Sequence, residues 1–150
     1  MTIYVDADAF PRQIRDVLLR ASKRLSIPVT FVANRYVRLP PSELLTCEVA
    51  PEGPDQADDR IVELVETGDL VITADVPLAD RVINEGAHAL DPRGVLYTPD
   101  NIKERLATRD LMADLRDGGL VTGGPSSFGK RNVQSFADGL NRFLTRHAGG

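Results

Sequence analysis

The sequence contains one cysteine, Cys47, no tryptophan and two histidines among its 150 residues. A single thiol excludes an intramolecular disulfide and a zinc site built from cysteines, and it predicts a reducing compartment. Neither histidine lies near Cys47 in sequence, so we interpret the cysteine as a small buried residue rather than a nucleophile. Aromatic residues make up only 5% of the chain, so an aromatic platform that stacks the bases of single-stranded nucleic acid is not evident.

Long apolar runs are also missing. No segment approaches the ~20 apolar residues that span a bilayer, and the N-terminus lacks the basic and apolar regions of a secretion signal. We therefore expect a cytoplasmic protein with no membrane partner. The net charge of −4 argues against binding of polyanions through bulk charge, although local basic patches could still direct a phosphate backbone to a site.

Short apolar runs alternate with segments of helical periodicity along the chain. The predicted strands are Ile3–Val5, Ile27–Ala33, Glu48–Val49, Leu70–Thr73, Ala87–Leu90 and Val95–Tyr97. The predicted helices run from about Pro11 to Leu25, from beyond Asp55 to Thr67, from about Pro77 to Glu85, from Thr98 to Gly118, and over a last segment after residue 129. Such alternation is typical of a parallel sheet. We predict one three-layer α/β domain over residues 1–150, with a mainly parallel central sheet and a frayed end from about residue 148.

Aspartates directly follow two of the buried strands. Asp6 and Asp8 come after the first strand, Asp75 follows the strand that ends at Thr73, and Asp58 lies between them at a helix start. In open α/β sheets the ligand crevice lies beyond the carboxyl ends of the strands, so these acids should meet there. Crowded carboxylates repel each other, and hard cations such as Mg²⁺ or Mn²⁺ bind oxygen ligands of this kind. The sequence therefore predicts a metal site formed by these four acids.

Each of these acids also has a purely structural interpretation. Asp6 could cap the helix that starts near Pro11, although it lies too far upstream to do so comfortably. Asp75 lies two residues before a helix proline, which is a normal position for an N-cap. Asp8 could be the cap of the first helix. Asp58 begins another helix together with Asp55 and Asp59, and there the helix dipole favours negative charge without any function. Asp55 fits the cap position best, and the choice between Asp58 and Asp59 as the site residue stays open.

A glycine-rich segment near the C-terminus resembles a phosphate-binding loop. Residues 124–131 match the spacing of a P-loop except at the last position, where Arg131 replaces the Ser or Thr that would hold Mg²⁺, so we expect no nucleoside triphosphate. Glycine-rich backbone at a helix start, with Lys130 and Arg131 beside it, could still hold a substrate phosphate. Arg93 and Arg109 are further candidates for phosphate contacts, with surface charges or helix-end partners as the alternative.

The combined motifs closely resemble the YaiI/YqxD family of bacterial proteins, which is itself related to PIN-like nucleases. The resemblance covers almost the whole chain and is carried by Val5–Ala9 with Pro11, Val32–Asn34, Asp55 with Ala57–Asp58, Gly68–Asp75, Pro92–Gly94 with Tyr97–Thr98, and Gly123–Pro125 with Arg131. Phe10 stands where the family usually has cysteine, so no thiol chemistry is required at that position. Lys130 is not part of the family pattern, which weakens the P-loop interpretation further.

The resemblance implies a PIN-like α/β fold and a metal-dependent nuclease. PIN-like nucleases place acids after the first strand, on a central helix and after a later strand, around Mg²⁺ or Mn²⁺, and they cut single-stranded RNA with a metal-activated water. By resemblance Asp6, Asp58 and Asp75 take those catalytic places, and Asp8 is a fourth metal ligand.

Two other functions remain open from the sequence. Asp6-Ala7-Asp8 after an apolar strand also fits the opening of haloacid-dehalogenase-type phosphohydrolases, in which the first aspartate is the nucleophile and the second the general acid. Those enzymes need a lysine shortly before a late acidic motif, and none lies just upstream of Asp69 or Asp75. A third possibility is a module that binds RNA or protein without turnover.

Overall fold

In a computed structural model of the chain, the described residues are 1–53, 55–108 and 128–147. The strands are β1 (Ile3–Asp6), β2 (Val29–Ala33), β3 (Leu45–Val49), β4 (Leu70–Ile72), β5 (His88–Leu90) and β6 (Leu96–Tyr97). They form one sheet in the order β3-β2-β1-β4-β5-β6. The first five strands are parallel, and β6 joins the edge antiparallel to β5. The predicted α/β class with a mainly parallel sheet is confirmed.

Helices cover both faces of this sheet. They are α1 (Arg15–Leu25), α2 (Gln56–Leu64), α3 (Val76–Asn84), α4 with its described part at 102–108, and α5 (Lys130–His147). The predicted end of α4 at Gly118 and the frayed end from residue 148 lie outside the described residues. No helix in the described part of the chain is long and apolar enough to cross a membrane.

The first helix begins later than predicted. Two short 3-10 turns, Ala7–Ala9 and Arg12–Ile14, come before α1. Phe10 between them has extended backbone with ψ of 120°, because a residue that precedes a proline is disfavoured in the helical region. The chain after β1 therefore stays close to the sheet edge for several residues before α1 starts.

The edge strand β3 is longer than the predicted pair Glu48–Val49, because it pairs with the whole of β2. The interpretation of Cys47, in the middle of β3, as a buried core residue is wrong. Cys47 is only partly buried, and its Sγ accepts a hydrogen bond from the Val37 N–H at 3.3 Å. An edge strand exposes part of each side chain, and a sulfur atom there remains free to accept a polar contact.

Strand side chains alternate between two apolar cores. The core under α1 and α5 includes Ile3, Val5, Leu18, Phe31, Ile72, Phe136 and Leu140. The core under α2 and α3 includes Val32, Ala57, Ile61, Val71, Leu78 and Val82. Because side chains alternate with a period of two residues, Asp6 follows Tyr4 onto the α2/α3 side of β1. The last residue of β1 thus faces the region where α2 and α3 begin.

The turn between β5 and β6 packs against α5 through two glycines. A Cβ atom added to Gly139, in the middle of α5, would overlap the Gly94 carbonyl group. A Cβ atom added to Gly94, which has φ of +91°, would overlap the Ser135 carbonyl group. Only glycine at both positions permits this backbone approach, which fixes α5 against the edge of the sheet.

Candidate active site

Asp6 ends β1 with a side chain that is only 8% exposed. Thr73, the residue after β4, donates a hydrogen bond from its Oγ1 to Asp6 Oδ2 at 3.0 Å. Burial is the largest influence on the pKa of Asp6 and raises it. The hydrogen bond from Thr73 lowers this pKa, whereas the charges of Asp75 and Asp8 raise it further. Asp6 is therefore a buried acid whose orientation is set by the neighbouring strand.

Asp75 is the N-cap of α3, as the structural interpretation predicted. Its Oδ1 accepts a hydrogen bond from the Leu78 N–H at 3.1 Å, and its own N–H donates to Thr73 Oγ1 at 2.9 Å. Thr73 thus bridges Asp6 and Asp75 through one hydroxyl group. Sequence reasoning missed this residue, and the signal that could have identified it is a threonine at the end of a buried strand, two positions before an acid.

Asp58 lies in the first turn of α2 and completes the group. Its pKa is raised from 3.8 to about 6. Burial is the largest cause, followed by the charges of Asp75, Asp6 and Asp55. The structure therefore brings Asp6, Asp58 and Asp75 together from three separate elements.

Asp59, the alternative to Asp58, points elsewhere. Its Oδ1 accepts from Arg81 Nη1 at 2.8 Å in an ion pair whose side chains are 44% and 49% exposed. Adjacent residues on a helix are about 100° apart, so only one of the two can face the crevice. Of the two residues, Asp58 is the one that lies close to Asp6 and Asp75.

Asp55 stands at the N-cap position of α2 but does not cap the helix with its side chain. Its backbone is left-handed with φ of +63°, and no cap hydrogen bond forms from its side chain. The predicted capping role is therefore wrong, because this backbone conformation differs from the extended one in which a side chain reaches the first turn. Its carboxylate instead contributes to the raised pKa of Asp58.

Asp8 is exposed and contacts the end of β2. Its carboxylate oxygens accept from the Asn34 N–H at 3.3 and 3.4 Å, so it caps a strand end and not a helix. The Asn34 side-chain Oδ1 is buried and has no hydrogen-bond partner among the described residues. A buried amide oxygen without a partner is costly. This oxygen atom belongs to the residue that bonds Asp8, and it is a further candidate metal ligand.

The donor chemistry of the cluster suits a hard cation, because carboxylate and amide oxygens are the ligands that Mg²⁺ and Mn²⁺ prefer. The positions of these side chains, in contrast, are not those of a complete metal site. In the described part of the chain no three His, Cys, Asp or Glu side chains are already arranged to hold one ion. The residues fit a cation by donor type and excess negative charge, and below about pH 6 ligation requires that Asp58 lose its proton.

None of the three ion pairs observed in the described part of the chain includes Asp6, Asp58 or Asp75. Among residues 1–53, 55–108 and 128–147, those pairs are Arg60 with Glu48, Arg60 with Glu63, and Arg81 with Asp59. The influences on the pKa of Asp58 likewise all raise it. The crevice therefore keeps its negative charge, which costs stability and attracts cations.

The predicted phosphate contacts gather at the same edge of the sheet as Asp6. The Arg93 guanidinium lies 5.8 Å from the centre of the Phe128 ring, in the turn beyond the carboxyl end of β5. Gln13 Nε2, from the segment after β1, donates to the Phe128 carbonyl oxygen at 3.3 Å. Lys130 and Arg131 follow in the exposed first turn of α5. Arg109 and residues 124–127 of the glycine-rich loop lie outside the described residues.

These observations define an α/β domain with a group of acids at the carboxyl ends of β1 and β4, where the strand order reverses, the position at which open parallel sheets bind ligands. The chain belongs to the YaiI/YqxD family, because the family described as "Uncharacterized BCR, YaiI/YqxD family" matches residues 4–146. The family inferred from the motifs is confirmed.

Relatives cover the chain nearly end to end. They include UPF0178 proteins of Burkholderia lata, 55% identical over 147 residues and 98% of each chain, and of Burkholderia cenocepacia, 55% identical over 148 residues and 99% of each chain. A UPF0178 protein of Burkholderia vietnamiensis is 51% identical over 147 residues and 98% of each chain. No solved structure matches the chain.

Proposed function

We propose that this protein is a metal-dependent, PIN-like phosphodiesterase that hydrolyses RNA with a metal-activated water. The convergence of Asp6, Asp58 and Asp75 at the switch point of the sheet is the observation that carries the proposal. Burial raises the pKa of Asp6 and of Asp58, and acids perturbed in this way concentrate at functional sites. The same position in other open α/β sheets is the ligand crevice.

Each acid has a distinct structural basis for its role as a ligand. Asp6 is oriented by Thr73, Asp75 is fixed by its capping bond to α3, and Asp58 approaches from α2. Asp8 is the fourth ligand in the proposal. When bound, Mg²⁺ or Mn²⁺ supplies an activated water and neutralises charge on a phosphoryl oxygen.

Basic residues at the same edge of the sheet are the proposed binding groups for the substrate phosphate. In the proposal Arg93, Lys130 and Arg131 bind the phosphates of the RNA backbone, because guanidinium and ammonium groups bind phosphate oxygens through charge-assisted hydrogen bonds. Local positive charge is needed since the protein as a whole has a net charge of −4. The N-terminal end of α5, beside Lys130 and Arg131, adds the positive end of a helix dipole that favours an anion.

The proposal is tested with purified protein, labelled single-stranded RNA and Mn²⁺ or Mg²⁺. Asp6→Asn should reduce cleavage by about 100-fold or more, because it removes one carboxylate ligand of the activating ion. Asp59→Asn is the matched control: it is the same substitution beside Asp58, in a residue that pairs with Arg81, and it should cleave like the wild type. Equal cleavage by wild type and Asp6→Asn would overturn the proposal.

The two alternative functions predict different results for the same purified protein. A haloacid-dehalogenase-like phosphomonoesterase would release phosphate from small esters and leave an acyl-phosphate on Asp6. A non-catalytic module would bind RNA or protein without cleavage under every metal. Either result replaces the nuclease proposal while the fold and family assignments remain.

A further inference from the structure

One aromatic ring, on the loop that follows β2, is exposed to solvent. Tyr36 is 74% exposed, the highest value for a large apolar side chain in the described part of the protein. The other two tyrosines are tied to the fold, since Tyr4 donates its hydroxyl to the Leu64 carbonyl and Tyr97 donates to Asp91 Oδ2. Tyr36 therefore differs from both by contributing neither core packing nor an observed hydroxyl contact.

The loop around Tyr36 is anchored on both sides. The Asn34 N–H donates to the Asp8 carboxylate, and the Val37 N–H donates to Cys47 Sγ. One residue further, the Arg38 carbonyl oxygen accepts a hydrogen bond from the Arg15 guanidinium. The backbone on either side of the ring is thus fixed by polar contacts while the ring itself remains free. The backbone around such a ring loses little conformational freedom when a ligand stacks on it.

The same loop adjoins the acid cluster. Asp6 is opposite Val32 in the pairing of β1 with β2, and Asp8 bonds to Asn34 directly beyond the end of β2. Tyr36 follows Asn34 by two residues, so their Cα atoms are at most about 7 Å apart. Tyr36 therefore lies on the loop that leaves the carboxyl edge of the sheet, the edge at which Asp6 also lies.

Two arginines flank the ring. Arg35 and Arg38 are exposed, and neither takes part in the ion pairs observed among the described residues. A positively charged loop with an exposed ring, at the sheet edge where the acids lie, suits a nucleic-acid strand whose phosphates must approach that edge. Guanidinium groups bind phosphate, and aromatic rings stack on bases that are not covered by base pairing.

We propose that Tyr36, with Arg35 and Arg38, is a stacking platform that holds one base of a single-stranded nucleic acid at the carboxyl edge of the sheet. This inference rests on the proposed function and specifies its substrate, because a duplex keeps its bases stacked inside and cannot offer a base face to the ring. The low aromatic content of the sequence argued against such a platform, yet one exposed ring on an anchored loop is sufficient for one base.

The test measures binding in EDTA, so that turnover plays no part, with a short labelled single-stranded RNA followed by fluorescence anisotropy. Tyr36→Ala should weaken binding about 5- to 100-fold, the range for loss of one stacked base. Tyr36→Phe, which keeps the ring, should bind within about twofold of the wild type. Both variants should unfold at the wild-type temperature, because an exposed side chain contributes little to stability.

A second readout uses the absence of tryptophan from the sequence. Tyr36→Trp creates the sole tryptophan, and its fluorescence should be quenched by single-stranded RNA and not by an equal amount of duplex RNA. Equal affinities of wild type and Tyr36→Ala, no binding by the wild type, or no quenching at saturation would each overturn the platform.

The two proposals fail separately. If wild-type protein cleaves RNA while Tyr36→Ala binds as tightly as wild type, the platform is wrong and the nuclease assignment remains. If Tyr36→Ala binds more weakly but the wild type cleaves no RNA with any metal, the platform is supported and the nuclease assignment is wrong.

Discussion

Asp75, the N-cap of α3, lies close enough to Asp58 in the first turn of α2 for its charge to raise the pKa of Asp58. These two acids are separated in sequence by a whole strand and a turn. Burial contributes more to the raised pKa of Asp58, and the charges of Asp6 and Asp55 add to it. The fold thus maintains a charge conflict in the one crevice where a cation would remove it.

Asp58→Asn should stabilise the metal-free protein at pH 7.5. The folded pKa of Asp58, about 6, lies above its ordinary value of 3.8, so the folded state binds more protons between these values. Stability is therefore lost as the pH rises from about 4 to about 6, and the loss persists above 6. The asparagine variant avoids this loss of stability. Its free energy of unfolding should therefore exceed that of the wild type by roughly 1 kcal/mol, which is about 2–4 °C in Tm, after allowance for solvent screening.

Differential scanning calorimetry in EDTA measures this gain. Asp59→Asn is the control: it breaks an exposed ion pair with Arg81 and should change stability by less than about 1 kcal/mol in the unfavourable direction. A Tm of Asp58→Asn below that of the wild type would show that the carboxyl group stabilises the fold.

Cation binding should release a proton below about pH 6. Because Asp58 must lose its proton to become a ligand, the apparent affinity for Mn²⁺ should fall about tenfold for each pH unit below 6 and level off above it. Calorimetric titration in buffers of different ionisation enthalpy counts the protons released. A pH-independent affinity between pH 4.5 and about 7 would remove Asp58 from the ligand set.

Thr73→Val should disturb the site without changing its shape. The substitution leaves a methyl group where one hydroxyl serves both Asp6 Oδ2 and the Asp75 N–H. We expect a loss of roughly 1–3 kcal/mol in the free energy of unfolding, because one buried and one partly buried polar group lose their partner. The pKa of Asp6 should rise further, since this hydrogen bond lowers it.

Thr73→Ser is the matched variant, because it keeps the hydroxyl group and removes only a methyl. It should restore most of the lost stability and the pH profile of Mn²⁺ binding. If the serine and valine variants behave alike in both measurements, the hydroxyl bridge has no role.

Gly139→Ala should destabilise the protein in spite of alanine's higher helix propensity. The added Cβ would overlap the Gly94 carbonyl group, so α5 and the β5–β6 turn must separate. Overpacking costs typically 1–3 kcal/mol, and alanine recovers up to about 1 kcal/mol. We expect a net loss of about 1–2 kcal/mol, measured by urea denaturation.

The matched control is Gly129→Ala, just before α5, where an added Cβ has no atom within 4 Å. This variant should be as stable as the wild type or slightly more stable. Equal stabilities of Gly139→Ala and Gly129→Ala would contradict the close backbone approach.

Strands β1 and β4 and the acids that follow them were predictable from the sequence, because continuous β-branched runs specify buried parallel strands. The edge strand β3 was underestimated, since its side chains are half exposed and its pattern is weak. The choice of Asp58 over Asp59 depends on the rotation of α2, which the sequence does not specify. Thr73 and Asn34 act through strand register, so only the three-dimensional structure could reveal their contacts.

The central claim is that side-chain oxygens of Asp6, Asp58 and Asp75 form one cation site. The most direct measurement is calorimetric titration of wild type, Asp6→Asn and Asp59→Asn with Mn²⁺ at pH 7.5. We predict saturable binding by wild type and by Asp59→Asn, and at least a tenfold weaker affinity for Asp6→Asn. Absence of binding by the wild type, or equal affinities for wild type and Asp6→Asn, would contradict the claim.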